Sequence, residues 1–483
     1  MNKIVNRIKK EFINTPDLII KEIKINLFKT IYVVFLETVS SSDKVNEYIL
    51  KNLAFTATNK INTIKSLEYI IPGPNIKAIK NYDEIEFYLS SGFAIVIEGS
   101  NILAVEVRAD IHRAVGSPES EPAIVGPKDA FTENFQINLG LIKRRIKTSK
   151  LKTKNFVVGR KTSTTVGVLY LDDVVNKELV SLIEERISKI DIDGIIDSST
   201  LGLLIEGKDK TSFPKVLRTE RPDNASNALL EGKIVILVDT SPFALILPAF
   251  FADFINPVVD NYVKSGNAKF VKILRLGCYF LSMITPAYYI AIVNYNQETI
   301  PTSLLINFAT QRQGVPFPSI IEAIIMLIIC EILRESDLRF PNAYGSAISI
   351  LGALVLGEAA VSAGIVSPIM IIIIALTFIT GLVFTDYETV SNLRFYRFIF
   401  LIAASFYGIF GVVCAFIFFL IQINSSYSFN KPYFFPIAPF DKTYFKKTIF
   451  KEKLKKDTKR SSMLSNNITK QRNGDTEWKN YLY

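Results

Sequence analysis

The stretch AYGSAISILGALVLGEAAVSAGIV (343–366) decides how this chain folds. It is long enough to cross a bilayer, because about 20 apolar residues at 1.5 Å rise cover a hydrocarbon core of roughly 30 Å. More than half of its residues are Gly, Ala or Ser, and Glu358 lies near its middle. Small residues let helices approach closely, and an ionisable residue at membrane depth usually faces a bundle interior or a water-filled path. We therefore expect a protein-facing or pore-facing helix of a membrane assembly.

The rest of the chain divides into a charged half and an apolar half. Residues 1–232 have the composition of a soluble α/β protein, whereas long apolar runs dominate residues 273–422. Mean hydropathy is +0.27, which is high for a chain with 21% charged residues. We predict a cytoplasmic α/β N-terminal region of two subdomains, followed by a multi-pass α-helical transmembrane domain. The expected divisions are 1–115, 116–250, 251–425 and a basic cytoplasmic tail at 426–483.

Charge at the two ends of the chain predicts their location. Acidic and polar residues interrupt any apolar core in the first 24 residues, so we expect no secretory signal and no export of the N-terminal region. Residues 441–483 carry 12 Lys or Arg against 5 Asp or Glu. A basic segment after a span is typical of the cytoplasmic side and is attracted to anionic lipid headgroups. Nucleic-acid binding is disfavoured, because no stacking aromatics are interleaved with these charges.

Hydrophobic periodicity gives a coarse secondary structure for the N-terminal half. Helical spacing predicts helices around 2–26, 43–70, 128–147 and 176–190. Runs of β-branched residues predict strands around 30–39, 93–99, 102–108, 155–172 and near Ile195. The run KIVILVDTSPFALILP (233–248) is apolar enough for a span, but Asp239 and Pro242 favour a turn between two buried strands.

Five apolar segments are candidates for the membrane: 276–294, 319–333, 343–366, 367–384 and 398–421. The second has only 15 residues, which favours a re-entrant segment lying against protein. Four spans and one such segment place both termini on the cytoplasmic side. The loop 385–397, with Arg394 and Arg397, would then face outward, which opposes the usual preference for basic residues on the inside.

We find no constellation of catalytic residues, and we expect neither an enzyme nor a cofactor or metal site. The single histidine, His112, lies in a charged stretch, so a triad would depend on that one imidazole. The three cysteines are far apart in apolar segments and indicate neither a disulfide nor a metal site. GLLIEGK (202–208) has the glycine and lysine spacing of a P-loop, but Asp209 replaces the Ser or Thr that binds magnesium. Its apolar interior favours a packed helix.

The carboxylates in the apolar half are more informative. Glu322 and Glu331 are nine residues apart, so they lie on opposite faces of a helix. A buried carboxylate without a partner protonates or pairs with Arg or Lys, and Arg334 and Arg339 are close in sequence. We expect an ion pair between Glu331 and Arg334. Glu358 stands alone in its helix, which favours a functional position.

Several longer stretches resemble signatures of the GerA-type spore germinant receptor A subunits. They are GSPESEPAIVGPKDAFTENFQINLGLIKRRIK (116–147), RTERPD (218–223), DTSPFALILP (239–248), QRQGVPFP (311–318), LRFPNAYGSAISILGALVLGEAAVSAGIVSP (338–368) and KPYFFPIAPF (431–440). The resemblance covers nearly the whole chain. One departure is at residues 125–130, VGPKDA, where family members commonly have Arg-Gly-Pro-Arg-Glu-Gly. The first arginine is replaced by Val125, so this chain forms no salt bridge from that position.

The resemblance implies a subunit in the inner membrane of a spore. Its partners would be a transporter-like B subunit, which binds the nutrient, and a lipoprotein C subunit. Copies of the A subunit would form a pentameric ring that acts as a nutrient-gated channel for monovalent cations. On this interpretation, the candidate pore residues are Val355, Glu358, Val361 and Ser362. A non-conducting scaffold, the accessory channel of the dipicolinic-acid release system and a secondary transporter are alternatives, although the apolar half shows no internal repeat typical of a transporter.

Overall fold

The computed structural model describes residues 3–26, 29–55, 67–68, 70–110, 116–207, 211–339, 355, 357–384, 386–450, 459–467 and 469. Its N-terminal half contains two five-stranded antiparallel sheets, and its C-terminal half is helical apart from a short hairpin that pairs Tyr427–Ser428 with Lys431–Pro432. The predicted α/β class of the N-terminal half is confirmed.

The first sheet contains β1 (Leu18–Asn26), β2 (Lys29–Leu36), β3 (Ile76–Ala78), β4 (Phe93–Glu98) and β5 (Asn101–Glu106). The helical segments around it are α1 (Lys3–Glu11), α2 (Ser42–Lys44, continued by the π-helical Val45–Leu50 and by Lys51–Phe55) and α3 (Asp83–Ser90). The strand order is β1-β2-β4-β5-β3. Buried aliphatic side chains cover both faces of this sheet, so its core has two layers.

The second sheet contains β6 (Leu151–Val158), β7 (Thr164–Leu171), β8 (Leu217–Thr219), β9 (Ile234–Val238) and β10 (Ala244–Leu247). Its helices are α4 (Phe135–Arg145), α5 (Lys177–Ser188), α6 (Ser198–Glu206) and α7 (Pro222–Leu230). The strand order is β6-β7-β9-β10-β8, which repeats the arrangement of the first sheet strand for strand. The two units also share the succession helix, two strands, helical segment, strand, helix and two strands. The N-terminal region is therefore built from two structurally similar units.

The two units meet through a buried ion pair. The Lys143 ammonium on α4 lies 2.5 Å from the Asp17 carboxylate, and both side chains are less than 10% exposed. The Thr38 hydroxyl donates to the other oxygen of Asp17. Because a buried charge is costly unless it is paired, this contact holds the two units in one arrangement.

Several predictions for the N-terminal half are confirmed and several are wrong. The hairpins at 93–108 and 233–248 are present as β4–β5 and β9–β10. Residues 202–206 of GLLIEGK lie on helix α6 and Gly207 ends it, as the prediction of a packed helix expects, while Lys208 lies outside the described residues. The prediction of helix throughout 2–26 is wrong, because Leu18–Asn26 is an edge strand held by pairing with β2. The prediction of a strand near Ile195 is also wrong. Ile195 lies in a buried loop, where its carbonyl accepts a 2.6 Å hydrogen bond from the Thr164 hydroxyl.

The helical half contains α8 (Phe251–Ile255), α9 (Ser265–Tyr295), α10 (Thr302–Arg312), α11 (Ser319–Arg339), α12 (Pro368–Gly381), α13 (Tyr387–Ser425) and α14 (Lys442–Phe450). A short 3₁₀ turn, Val258–Tyr262, joins α8 to α9. In the described residues, two helices are long and apolar enough to cross a membrane, Gly266–Tyr295 and Tyr387–Ser425. The 15-residue segment at 319–333 belongs to the 21-residue α11. Most of the stretch 343–366 lies outside the described residues, but 357–362 is helical.

Helix α13 folds back on itself at Gly408. Gly408 has φ 59° and ψ −138°, a conformation that glycine adopts far more readily than other residues. The rings of Tyr396 and Phe419 are 5.0 Å apart, whereas 23 residues of straight helix would separate them by roughly 35 Å. The two arms therefore form an antiparallel hairpin, and the prediction of one continuous span at 398–421 is wrong.

Both ends of this hairpin lie against the second unit of the N-terminal region. The start of α13 contacts it through Asn392, whose amide donates to the Ser212 hydroxyl at 3.2 Å. Beyond the other end, the Ser428 hydroxyl donates to the Lys215 carbonyl at 2.9 Å. The tip packs on Tyr295 at the far end of α9. The prediction of a loop at 385–397 is therefore wrong, since the chain is helical from Tyr387 onward.

Candidate functional site

Glu331 on α11 is surrounded by three guanidinium groups. Its carboxylate lies 3.4 Å from Arg334, 3.1 Å from Arg394 and 3.8 Å from Arg397. The expected pair with Arg334 is present, and α13 supplies the other two arginines. A carboxylate in an apolar bundle is costly without partners, so this cluster fastens α11 to the first arm of α13.

Arg397 also bonds the backbone of a third helix. Its Nε donates a 2.9 Å hydrogen bond to the carbonyl of Ser282 on α9. That carbonyl lies four residues before Pro286, which has no N–H and therefore cannot donate to it. Arg397, whose side chain is 3% exposed, thus satisfies a buried carbonyl and faces Glu331 at the same time.

Glu322, at the other end of α11, is fully buried and binds the start of α12. One of its oxygens accepts 2.8 Å hydrogen bonds from the backbone N–H and the hydroxyl of Ser367. Arg312, at the end of α10, places its Nε 3.7 Å from the other oxygen. A carboxylate at a helix N-terminus is stabilised by the free N–H groups and by the helix dipole. Because Ser367 directly follows the small-residue stretch, Glu322 fixes the end of that stretch to α11.

The four candidate pore residues lie on the described end of the small-residue stretch. Val355, Glu358 and Ser362 are exposed in the single chain, whereas Val361 is half-buried in the apolar cluster with Met370 and its neighbours. Residues 340–354 and 356 lie outside the described residues, as does the side chain of Arg339, although Arg339 closes α11. The Glu358 side chain is therefore exposed in the part of the chain that the structure describes.

A second contact couples the N-terminal region to the helices. Arg218 on β8 forms an ion pair with Glu388 in the first turn of α13, and both side chains are about a quarter exposed. Phe213 inserts beside it, with its ring 5.5 Å from Tyr396 and 5.9 Å from Phe419, so it touches both arms of the hairpin. These contacts couple the position of β8 to the position of α13.

Comparison with known proteins decides the family. Residues 6–463 match the family described as Bacillus/Clostridium GerA spore germination protein. The chain belongs to the GerA family. It is 36% identical over 471 residues to spore germination protein KA of Bacillus subtilis (strain 168), covering 96% of this chain and 86% of that protein. It is 34% identical to spore germination protein GerLA of Bacillus cereus, covering 90% of each.

Two further similarities concern a membrane protein and a solved structure. The membrane protein YfkQ of Bacillus subtilis is 33% identical over 85% of this chain and 80% of its own length. The crystal structure of the N-terminal domain of the A subunit of the Bacillus megaterium spore germinant receptor GerK3 is 31% identical, with a TM-score of 0.41. It covers 51% of this chain and 94% of that chain.

The stretch RTERPD (218–223) forms a buried polar network in this structure. Arg221 is 1% exposed, and its guanidinium binds both carboxylate oxygens of Asp223, at 3.1 and 2.7 Å, and the Pro127 carbonyl at 3.1 Å. The Tyr262 hydroxyl donates to Asp223 at 2.6 Å, and its ring packs on Gly126, where a Cβ would lie 2.6 Å away. The network joins the linker, the second unit and the turn before α9.

Glu121 in the linker belongs to the same network. It accepts hydrogen bonds from the Thr219 hydroxyl at 2.5 Å and from the Glu220 N–H at 3.1 Å. Burial raises the pKa of this carboxyl to about 7, although these hydrogen bonds and Arg221 oppose the rise. At the position where the family resemblance leads us to expect an arginine, Val125 is about half exposed. Asp129, four residues later, pairs with Arg145 at 2.6 Å. In this chain the contacts of Glu121, Pro127 and Asp129 therefore hold the linker against the second unit.

The sequence alone does not indicate the partners of these side chains. Arg394 and Arg397 fall in an expected loop, and Arg218 lies in the stretch RTERPD, for which the sequence indicates no role. One signal was present for Arg397, since Pro286 inside an apolar run leaves a carbonyl that needs an outside donor. Nothing in the sequence indicated which residue supplies it.

Proposed function

We propose that this GerA protein is the A subunit of a spore germinant receptor and forms an oligomeric, nutrient-gated channel for monovalent cations. The observation that carries the proposal is the exposure of Glu358 on a small-residue helix whose end is held by Glu322 and Ser367. Such a helix can pack closely against copies of itself, and a ring of carboxylates favours cations in a narrow pore.

The proposal places the protein in the inner spore membrane, with the N-terminal region and the tail on the cytoplasmic side. Support comes from the hairpin of α13, whose two ends meet the N-terminal region at one end of the helical half. The nutrient would bind largely in a B subunit, and a lipoprotein C subunit would complete the receptor. Contacts such as Arg218–Glu388 would carry movement of the N-terminal region to the helices.

Reconstitution with the partner subunits tests the channel. We expect Glu358→Gln to lower single-channel cation conductance and cation preference, because it removes a negative charge from each copy. Glu298→Gln, at an exposed turn after α9, is the matched control and should leave both unchanged. Unchanged conductance in Glu358→Gln would remove Glu358 from the pore.

A leak measurement in spores tests the gate. We expect Val361→Ala to release potassium without nutrient, because a smaller side chain widens an apolar constriction. Ile379→Ala, at an exposed position on the neighbouring α12, removes more apolar volume and should not leak if the effect belongs to the pore. A complete receptor that responds to nutrient but conducts nothing would favour the scaffold function instead.

A further inference from the structure

Helix α14 crosses the first turns of α9, where its apolar section begins. The Lys272 ammonium on α9 donates to the Thr448 carbonyl at 2.8 Å, and Lys269 lies 4.9 Å from the centre of the Phe450 ring. The exposed apolar stripe of α9 starts in the same turns of the helix that contact α14. Phe270 and Leu274 there are 69% and 54% exposed. Helix α14 therefore lies at the boundary between the polar N-terminal region and the apolar helices.

One face of α14 is fixed to protein. Tyr444 is buried against Phe435, with ring centres 5.0 Å apart, and Lys447 forms an ion pair with Glu231 at 2.5 Å. Asp441 caps the helix by accepting from the N–H of Tyr444 at 3.0 Å. These contacts set the rotation of α14 and so determine which residues its other face presents.

The other face combines lysines with an aromatic ladder, and we call it the basic aromatic face. Its members are Lys269 of α9, Lys442 and Lys446 of α14, and the rings of Phe440, Phe445 and Phe450. The ring centres of the ladder are 5.4 and 5.7 Å apart, and Phe440 is 66% exposed. Among the described residues, neither Lys442 nor Lys446 forms an ion pair. An amphipathic surface of this kind, at the end of a membrane helix, is suited to the headgroup layer.

We propose that the basic aromatic face binds the phosphate headgroups of anionic phospholipids. The lysines would contact the phosphates, while the exposed phenylalanines insert beside the acyl chains. The aliphatic part of a lysine side chain can lie along apolar surface while its ammonium stays at the headgroup, which suits this arrangement. The proposal rests on the membrane location in the proposed function and is independent of channel activity.

The single tryptophan of the chain provides a direct test. In the full-length protein, Trp478→Phe removes it and Phe440→Trp places a fluorophore in the face. The protein is reconstituted in nanodiscs of phosphatidylglycerol and phosphatidylcholine, with the acyl chains of one or the other lipid brominated. We expect brominated phosphatidylglycerol to quench at least twofold more than brominated phosphatidylcholine at equal mole fraction. The ratio of quenching by brominated phosphatidylglycerol to quenching by brominated phosphatidylcholine should fall at high salt, because salt screens the attraction between lysine and phosphate.

Two controls separate lipid selectivity from mere contact with the bilayer. A fluorophore at Tyr407→Trp, 69% exposed at the hairpin tip, should show a ratio near one. Lys442→Gln with Lys446→Gln should lower the quenching ratio measured at Phe440→Trp towards one, because the face then loses two charges that attract anionic lipid. Each lysine contributes a preference for anionic over neutral lipid of about fivefold at most. Lys442→Arg with Lys446→Arg should keep the ratio high.

Two results would overturn the proposal. Equal ratios at Phe440→Trp and Tyr407→Trp would show that the face touches lipid without preferring anions. No quenching at Phe440→Trp by either lipid would show that protein, such as a second copy of this chain, covers the face. Neither result bears on conductance, so it would leave the proposed channel standing.

Discussion

Arg397 donates a 2.9 Å hydrogen bond to the carbonyl of Ser282, the backbone oxygen that Pro286 leaves without its helical donor. The same guanidinium lies 3.8 Å from the Glu331 carboxylate. One buried side chain thus joins α9, α11 and α13. A proline is tolerated in α9 because a neighbouring helix replaces the missing N–H.

Replacing Arg397 should therefore be costly, and removing the proline should recover part of the cost. We expect Arg397→Met to destabilise the chain by about 3 kcal/mol or more, because Glu331 loses a buried partner and Ser282 loses its donor. Adding Pro286→Ala should restore about 1 kcal/mol, since residue 286 then supplies an N–H. Unfolding in mixed micelles by denaturant measures both changes.

Arg394→Met is the matched control for this cycle. Arg394 contacts Glu331 at 3.1 Å, and its side chain is not a donor to Ser282 among the described contacts. Adding Pro286→Ala to Arg394→Met should therefore restore none of the lost free energy of unfolding. Equal recovery in both backgrounds would mean that Pro286→Ala acts through helix propensity alone.

The fold-back of α13 predicts a strong effect at Gly408. A Cβ there would lie 2.8 Å from the Cβ of Tyr295, and its φ of 59° with ψ −138° is strained for any other residue. We expect Gly408→Ala to reduce the yield of folded, monodisperse protein severalfold in size-exclusion chromatography. Gly277→Ala on α9, with no atom within 4 Å of the added Cβ, should leave the yield unchanged. A normal yield for Gly408→Ala would argue against the hairpin.

The ion pair between Arg218 and Glu388 predicts a coupling between the N-terminal region and α13. We expect Arg218→Glu to speed hydrogen exchange at the start of α13, and the swap Arg218→Glu with Glu388→Arg to restore protection. The pair is about a quarter exposed, so its contribution should be about 1 kcal/mol. Arg160→Glu, which breaks a well-exposed pair with Asp191, should not alter exchange in α13. Failure of the swap to restore protection would mean that Phe213 packing alone holds the contact.

The raised pKa of Glu121 predicts that the stability of the linker depends on pH. The folded chain holds the carboxyl proton up to a pKa of about 7, whereas the unfolded chain releases it near the ordinary value of about 4.5. Stability from this group therefore falls as pH rises between these values and stays lower above pH 7. We expect Glu121→Gln to protect residues 116–131 against hydrogen exchange at pH 8 relative to the native chain, by about 1–2 kcal/mol.

At pH 5, where the native Glu121 is already protonated, the difference should nearly vanish. Intrinsic exchange rates must be corrected for pH in this comparison. Glu119→Gln, at an exposed position in the same linker, is the control and should show no such pH dependence. An equal effect of Glu121→Gln at both pH values would contradict the burial of its charge.

Features that depend on near neighbours were predictable from the sequence. The hairpins β4–β5 and β9–β10 follow from short apolar runs around a turn, and the Glu331–Arg334 pair follows from i,i+3 spacing on one helix. The edge strand β1 was not predictable. Its sequence LIIKEIKIN fits a helix or a strand, and pairing with β2 decides between them.

By itself, the sequence determined the α/β half, the apolar helices, the small-residue stretch with Glu358 and the basic tail, because each depends on local composition and periodicity. Only the tertiary structure decided which charges meet. Arg394 and Arg397 reach Glu331 from more than 60 residues away because α13 packs along α9, which also contacts α11, and no local pattern encodes that arrangement. The same holds for the fold-back at Gly408. Gly277 also lies in an apolar run, yet α9 stays helical there, so a glycine alone does not decide where the chain reverses. At Gly408 the turn packs closely on Tyr295.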